Sequence, residues 1–111
     1  MISEQNLALV LSSIPEKPGC YMYLDEMETI IYVGKAKNLK KRVSSYFNKT
    51  IENLKTRIMV RKINMIRYLV VESEEEAFLL ENNLIKQHKP RYNILLKYEE
   101  TRFFRFLALP I

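Results

Sequence analysis

The chain has 111 residues, 48% of them hydrophobic and 28% charged, with a net charge of +5. That length holds one core rather than two, and that composition excludes a chain disordered throughout. No apolar run approaches the ~20 residues of a membrane-spanning helix; residues 1–11 carry Glu4, Gln5 and Asn6 without the basic cluster of a signal peptide, and a single cysteine fits a reducing cytoplasm.

Taken in order, residues 3–13 space Leu7, Leu9, Val10 and Leu11 compatibly with a short amphipathic helix, with Ile14 just beyond, capped by Ser3 and stopped by Pro15. Two β-rich runs follow, 20–24 and 29–33, around the polar Asp25-Glu26-Met27-Glu28, an ordinary hairpin loop. A regular ladder that starts with Leu24 opposite Thr29 places Tyr21 directly opposite Tyr32, so that two phenols share a face. Cys20 reads as a small buried hydrophobe within its strand. A helix is expected over residues 36–48, gathering Ala36, Leu39, Val43, Tyr46 and Phe47 on one face, with Arg42 and Tyr46 at its edge on the side of Lys35. Lys37 and Lys41 point elsewhere, toward phosphate or solvent. Thr50 is placed to cap a second helix, 51–64, burying Ile51, Leu54, Ile58 and Ile63. Residues 66–72 read as a third strand, and the Ser73 and Glu76 spacing is a capping box that opens a helix over 74–88, ended by Pro90. The expected architecture is a small α/β (α+β) domain, a three-stranded antiparallel sheet flanked by helices.

On that last helix Ala77, Phe78, Leu80, Leu84 and Ile85 form an apolar arc, and Glu81 falls in its middle. A carboxylate there is paired, protonated or bound to a metal, because an isolated buried charge is too costly. A salt bridge to a neighbouring Lys or Arg is the plain reading, and a divalent metal is the alternative that two phenols and a basic cluster favour. His88 shares the arc and reads as structural or solvent-facing. Residues 35–67 hold eleven Lys and Arg against the single acid Glu52, which leaves the rest of the chain at −5. Charge segregated this sharply is the footprint of a phosphate-backbone binder.

Gly19-Cys20-Tyr21, Tyr32-Val33-Gly34 and the continuation Lys35-Ala36-Lys37-Asn38-Leu39-Lys40-Lys41-Arg42, followed by Ser45-Tyr46-Phe47, resemble the GIY-YIG endonuclease domains, and among these the amino-terminal domain of the bacterial DNA-repair excinuclease group UvrC. The resemblance runs over residues 15–97, after a helical segment at 1–14. Glu81-Asn82-Asn83-Leu84-Ile85-Lys86 and Lys89-Pro90-Arg91-Tyr92-Asn93 match its closing segments. Residues 98–111 depart from the pattern, and Phe103, Phe104, Phe106 and Leu107 read there as an edge strand or as the stub of a longer continuation.

The resemblance implies metal-assisted hydrolysis of a DNA phosphodiester on the 3′ side of a lesion, in nucleotide excision repair. Tyr32 is then the general base and Glu81 the ligand of one Mg²⁺ or Mn²⁺. Arg42 clamps phosphate, and Asn93 and Gly34 belong to the active site. Tyr21 and Tyr46 orient water or substrate, or are core aromatics. A phenol near its ordinary pKa of ~10 is a poor base at neutral pH, and Lys35 is the candidate to lower it. Lys35, Lys37, Lys40, Lys41 and Arg42 are the expected DNA contacts. The implied partners are double-stranded DNA and a UvrB–DNA complex, with no membrane, for a cytoplasmic monomer. The rival readings are a catalytically silent DNA-binding module and a free-standing GIY-YIG nuclease outside repair. The length leaves no room for the second nuclease domain or UvrB-contacting region of full-length family members, so a fragment or truncated relative is expected.

Overall fold

The computed structural model describes residues 2–48, 51 and 53–96. In chain order they form α1 (Glu4–Ser13), β1 (Gly19–Leu24), β2 (Ile30–Ala36), α2 (Leu39–Asn48), α3 (Leu54–Lys62), β3 (Met65–Val70) and α4 (Glu74–His88), with a last helical stretch at 91–96. The three strands make one antiparallel sheet in the order β2-β1-β3. All six residues of the central strand β1 are buried. A strand covered on both faces needs no polar alternation, which is why Gly-Cys-Tyr-Met-Tyr-Leu reads as a continuous run.

Strand alternation divides the core in two. Tyr21 and Tyr23 face a main cluster with Ile14, Leu39, Val43, Met59, Ile63 and Tyr92. Met22 and Leu24 face a smaller one with Val33, against which Leu84 and Ile85 of α4 pack. Cys20 also faces α4, its thiol donating to the Ala77 carbonyl at 3.2 Å. Ile2, Leu7, Val10 and Leu11 join the main cluster, so α1 is part of the same core.

The hairpin corrects the expected register. Asp25 N–H donates to the Thr29 carbonyl (3.0 Å), so the loop proper is Glu26 to Glu28 and is one residue shorter than the expected loop. Asp25 Oδ1 accepts from Met27 and Thr29, and Glu28 takes a left-handed φ of 62° to close the turn. A bulge then leaves Ile31 without a partner between the pairs Leu24–Ile30 and Tyr23–Tyr32. Together these slide the ladder by two residues, so Tyr23 and not Tyr21 lies opposite Tyr32, and Tyr21 lies opposite Gly34. A slip of two preserves the face, so the phenols still gather on one side.

The helix boundaries move for local reasons. Residues 34–36 stay in β2 because they complete the ladder with Tyr21, Cys20 and Gly19, so α2 starts at Leu39, with Asn38 accepting from Lys41 N–H at 3.1 Å. Lys35 therefore belongs to the strand and not to the side of α2 that carries Arg42. Helix α3 is capped by Asn53, which accepts from Thr56 N–H, and Thr50 lies outside the described residues, as does the whole stretch 98–111. The face α3 turns inward carries Met59 and Val60, which leaves Leu54 60% and Ile58 40% exposed, against expectation. Ser73 caps α4 as expected, accepting from Glu76 N–H while Glu76 accepts from Glu72 N–H. Phe78, expected in the apolar arc, is 51% exposed, and His88 faces solvent.

Gly34 has no left-handed φ. Its need for a bare α-carbon is spatial, since an added β-carbon would run into Cζ and Oη of Tyr21 on the opposing strand. Gly34→Ala should therefore cost roughly 1–3 kcal/mol through displacement of a fully packed ring, read as a lower denaturation midpoint with an unchanged slope.

Candidate active site

The phenols meet beside α2. Tyr21 and Tyr46 join hydroxyls at 2.9 Å. Tyr32 lies 6.3 Å from Tyr21 and 6.4 Å from Tyr46, centroid to centroid, and Tyr23 stacks on Tyr32 at 6.1 Å. The Arg42 guanidinium sits over the Tyr46 ring, 5.5 Å from its centroid, and within reach of the Tyr21 hydroxyl. Burial pushes the phenols of Tyr21 and Tyr32 up, the neighbouring phenols add to it, and the cation that opposes the rise on both is Arg42. The same phenols hold Arg42 firmly protonated.

Lys35 does not share a face with Tyr32, to which the sequence pattern assigned it. Strand alternation turns its side chain to the other face of the sheet, where it is the cross-strand partner of Cys20. On that face it meets Glu81, one turn beyond Ala77 on α4. Burial raises the Glu81 carboxyl, opposed by the Lys35 ammonium and by the Lys35 backbone N–H. Burial likewise lifts the Cys20 thiol to about 11, with Glu81 adding to the rise and Lys35 resisting it. Glu81 also acts on Tyr32 from across the sheet, so the carboxylate and the phenol lie within electrostatic reach of each other.

Lys37 and Glu74 form an ion pair at 3.4 Å, and Glu81 is not part of one among the described residues. No group of three His, Cys, Asp or Glu forms a ready-made metal cage among them. A half-buried hard carboxylate without an ion pair within 4 Å among the described residues nevertheless fits Mg²⁺, which keeps several waters and takes one or two protein carboxylates. Beside these groups runs an open groove of about 550 Å³ lined by Lys35, Lys37, Asn38, Lys41, Arg42 and Ser45, with Glu74 and Ala77 on its α4 side. Lys40 is not on this lining; it is half-buried, and its N–H donates to the Pro15 carbonyl at 3.3 Å.

Asn93 makes a two-point bond to strand β2. Its Oδ1 accepts from Val33 N–H and its Nδ2 donates to the Val33 carbonyl, both at 2.8 Å. β2 is an edge strand, and these are the outward groups of its central residue. The clamp fixes the strand that carries Tyr32 on one face and Lys35 on the other.

A family model for the UvrC-like GIY-YIG domain matches residues 17–94. The chain belongs to that family. It is 57% identical over 101 residues to UvrABC system protein C of Porphyromonas gingivalis, covering 91% of this chain and 17% of that protein. With the protein of the same name from Bacteroides fragilis, identity is 64% over 92 residues, covering 83% and 15%. The chain thus spans about a sixth of the length of these curated relatives. Among solved structures it is similar to the GIY-YIG N-terminal endonuclease domain of UvrC from Thermotoga maritima bound to its catalytic divalent cation, magnesium. That match has a TM-score of 0.71 at 34% identity, over 81% of this chain and 98% of the other.

Within this GIY-YIG domain the two half-motifs are adjacent strands, and their glycine and tyrosine pair directly as Tyr21 with Gly34. Tyr21, Tyr32, Tyr46 and Arg42 come together, Lys35 and Glu81 come together on the opposite face, and Asn93 braces the strand between them. Sequence reasoning missed Tyr23 and Glu74. The signal for Tyr23 was its i, i+2 spacing from Tyr21, which places both phenols on one face. Nothing in the sequence places Glu74 beside Lys37. Val33 is fully buried, so Asn93→Ala would strand its N–H and C=O together. The expected loss is about 1–3 kcal/mol, accompanied by faster hydrogen exchange at the Val33 amide. Asn93→Asp keeps the acceptor for the Val33 N–H but sets a carboxylate oxygen against the Val33 carbonyl, so it should recover part of that protection and little of the lost stability.

Proposed function

We propose that this domain is a metal-dependent endodeoxyribonuclease of nucleotide excision repair. It would cut a phosphodiester on the 3′ side of a lesion in double-stranded DNA presented with UvrB, in the bacterial cytoplasm. The observation that carries the reading is that Glu81 lies within electrostatic reach of both Tyr32 and Lys35, one helical turn along α4 from Ala77, which lines the basic groove.

The residues divide the work. Glu81 would hold one Mg²⁺ or Mn²⁺, which when bound polarises the scissile phosphate and offsets charge on the leaving oxygen. Tyr32 takes the proton of the attacking water. Its phenol is raised by burial, so its base form depends on a nearby cation, and Arg42 is the one that acts on it. Arg42 also faces the groove, where a guanidinium clamps phosphate oxygens. Tyr46 and Tyr21 hold Arg42 and the Tyr32 ring in register through their joined hydroxyls. Lys35 serves Glu81, keeping the carboxylate ionised by charge and by its backbone N–H. Lys37 and Lys41 supply phosphate contacts without base readout.

Nicking of supercoiled DNA with Mg²⁺ or Mn²⁺, with and without UvrB, tests the activity directly. Glu81→Gln separates the nuclease from a silent binding module: it should lose metal-dependent nicking while melting within ~5 °C of the parent and binding DNA as before. A destabilised variant that still nicks defeats the assignment. DNA affinity should fall steeply with salt, and charge removal at Lys37 or Lys41 should weaken binding about equally for all sequences. Each such change should lower the salt slope by about 1, and binding indifferent to salt would remove the groove from the account.

A further inference from the structure

Tyr23 is fully buried, and its hydroxyl has no hydrogen-bond partner among the described residues. A buried hydroxyl without a partner costs stability, and a phenylalanine would fill the same space without that cost. The ring stands in the middle of the phenol cluster, stacked on Tyr32 at 6.1 Å, edge-on to Tyr46 at 5.2 Å and tilted against Tyr21 at 5.3 Å. The two-residue slip of the hairpin puts it there, directly across the strand pair from Tyr32. Neither proton abstraction nor phosphate binding by the neighbouring groups uses it.

We propose that Tyr23 is a positioning residue whose hydroxyl donates a hydrogen bond into the Tyr21–Tyr46–Tyr32 cluster when that cluster carries negative charge. The inference rests on reading Tyr32 as the base. When Tyr32 releases its proton to solvent, negative charge appears among buried phenols, and each phenol has one proton to donate. Of the two protons then left on Tyr21 and Tyr46, one is committed to the Tyr21–Tyr46 bond and the other to the Tyr46–Tyr32 contact. Arg42 supplies donors from the α2 side. From within the sheet, the phenol with an uncommitted proton is Tyr23. Its proton stays on its own oxygen throughout, so the contribution is a charge-assisted hydrogen bond and no covalent change.

The test is Tyr23→Phe, which keeps the ring. The readouts are Mg²⁺-dependent nicking at saturating DNA across pH, the melting temperature, and the ¹³Cζ shifts of Tyr21, Tyr32 and Tyr46, which report hydrogen bonding and ionisation. The expected result is a melting temperature at or above the parent's and an unchanged KM for DNA. The kcat should fall about tenfold, with its rising limb at higher pH because a donor to the charged form is gone. The Cζ shifts should respond to pH less than in the parent. An unchanged limb and unchanged Cζ response would overturn the proposal and leave Tyr23 a packing residue. If the parent does not nick, the nuclease reading fails by itself and the Cζ response alone decides for or against Tyr23. If Tyr23→Phe does not fold, 3-fluorotyrosine at position 23 takes its place. A more acidic donor must move the limb and the Cζ response to lower pH, and no movement rejects the role.

Discussion

Burial of β1 on both faces is the constraint on which the rest depends. Because helices cover both sides, each successive residue of this strand is delivered to a different environment. Tyr21 and Tyr23 go to the phenol cluster beside α2, while Cys20 and Met22 go to the α4 side. The neighbouring strand inherits the division. Tyr32 and Lys35 are three residues apart in β2, an odd spacing that sends them to opposite faces. The candidate site is therefore built across an edge of the sheet, with the phenols and Arg42 on one face and Glu81 and Lys35 on the other.

The burial that builds the site also sets its electrostatic problem. Desolvation holds the phenols protonated and lifts the Glu81 carboxyl, so each face needs its own cation. Arg42 serves the first face and Lys35 the second. The guanidinium suits the aromatic side because it is planar and stacks on Tyr46, whereas the compact ammonium suits an exposed position beside a single carboxylate.

Much of this was legible in the residues themselves. The capping box at Ser73 and Glu76 and the Ser3 cap were readable because side chains make those bonds locally, and the three strands because β-branched and aromatic runs stand between turn and cap signals. The basic stretch and the misfit of Glu81 on an apolar arc were visible for the same reason. The errors have physical sources. Register failed by two residues because turn closure at Glu28 and the bulge at Ile31 are settled by backbone geometry and core packing, which a count across a loop cannot see. Lys35 was assigned to the wrong partner because residues 34–36 extend a ladder whose length depends on the strand opposite. Leu54 and Ile58 were taken for core because periodicity gives the width of a helical face but not the direction in which it looks.

The Asn93 clamp bears on more than the position of Tyr32. The outer edge of a sheet is a template that invites another extended chain to pair with it, and proteins with exposed edges risk joining end to end. At the centre of β2 that invitation is already taken up, because one side-chain amide satisfies both outward groups of Val33 in the way a neighbouring strand would. The amide completes the sheet without adding to it. The edge that carries the candidate site is thereby closed at its centre to pairing with another extended chain, and a single asparagine does the closing.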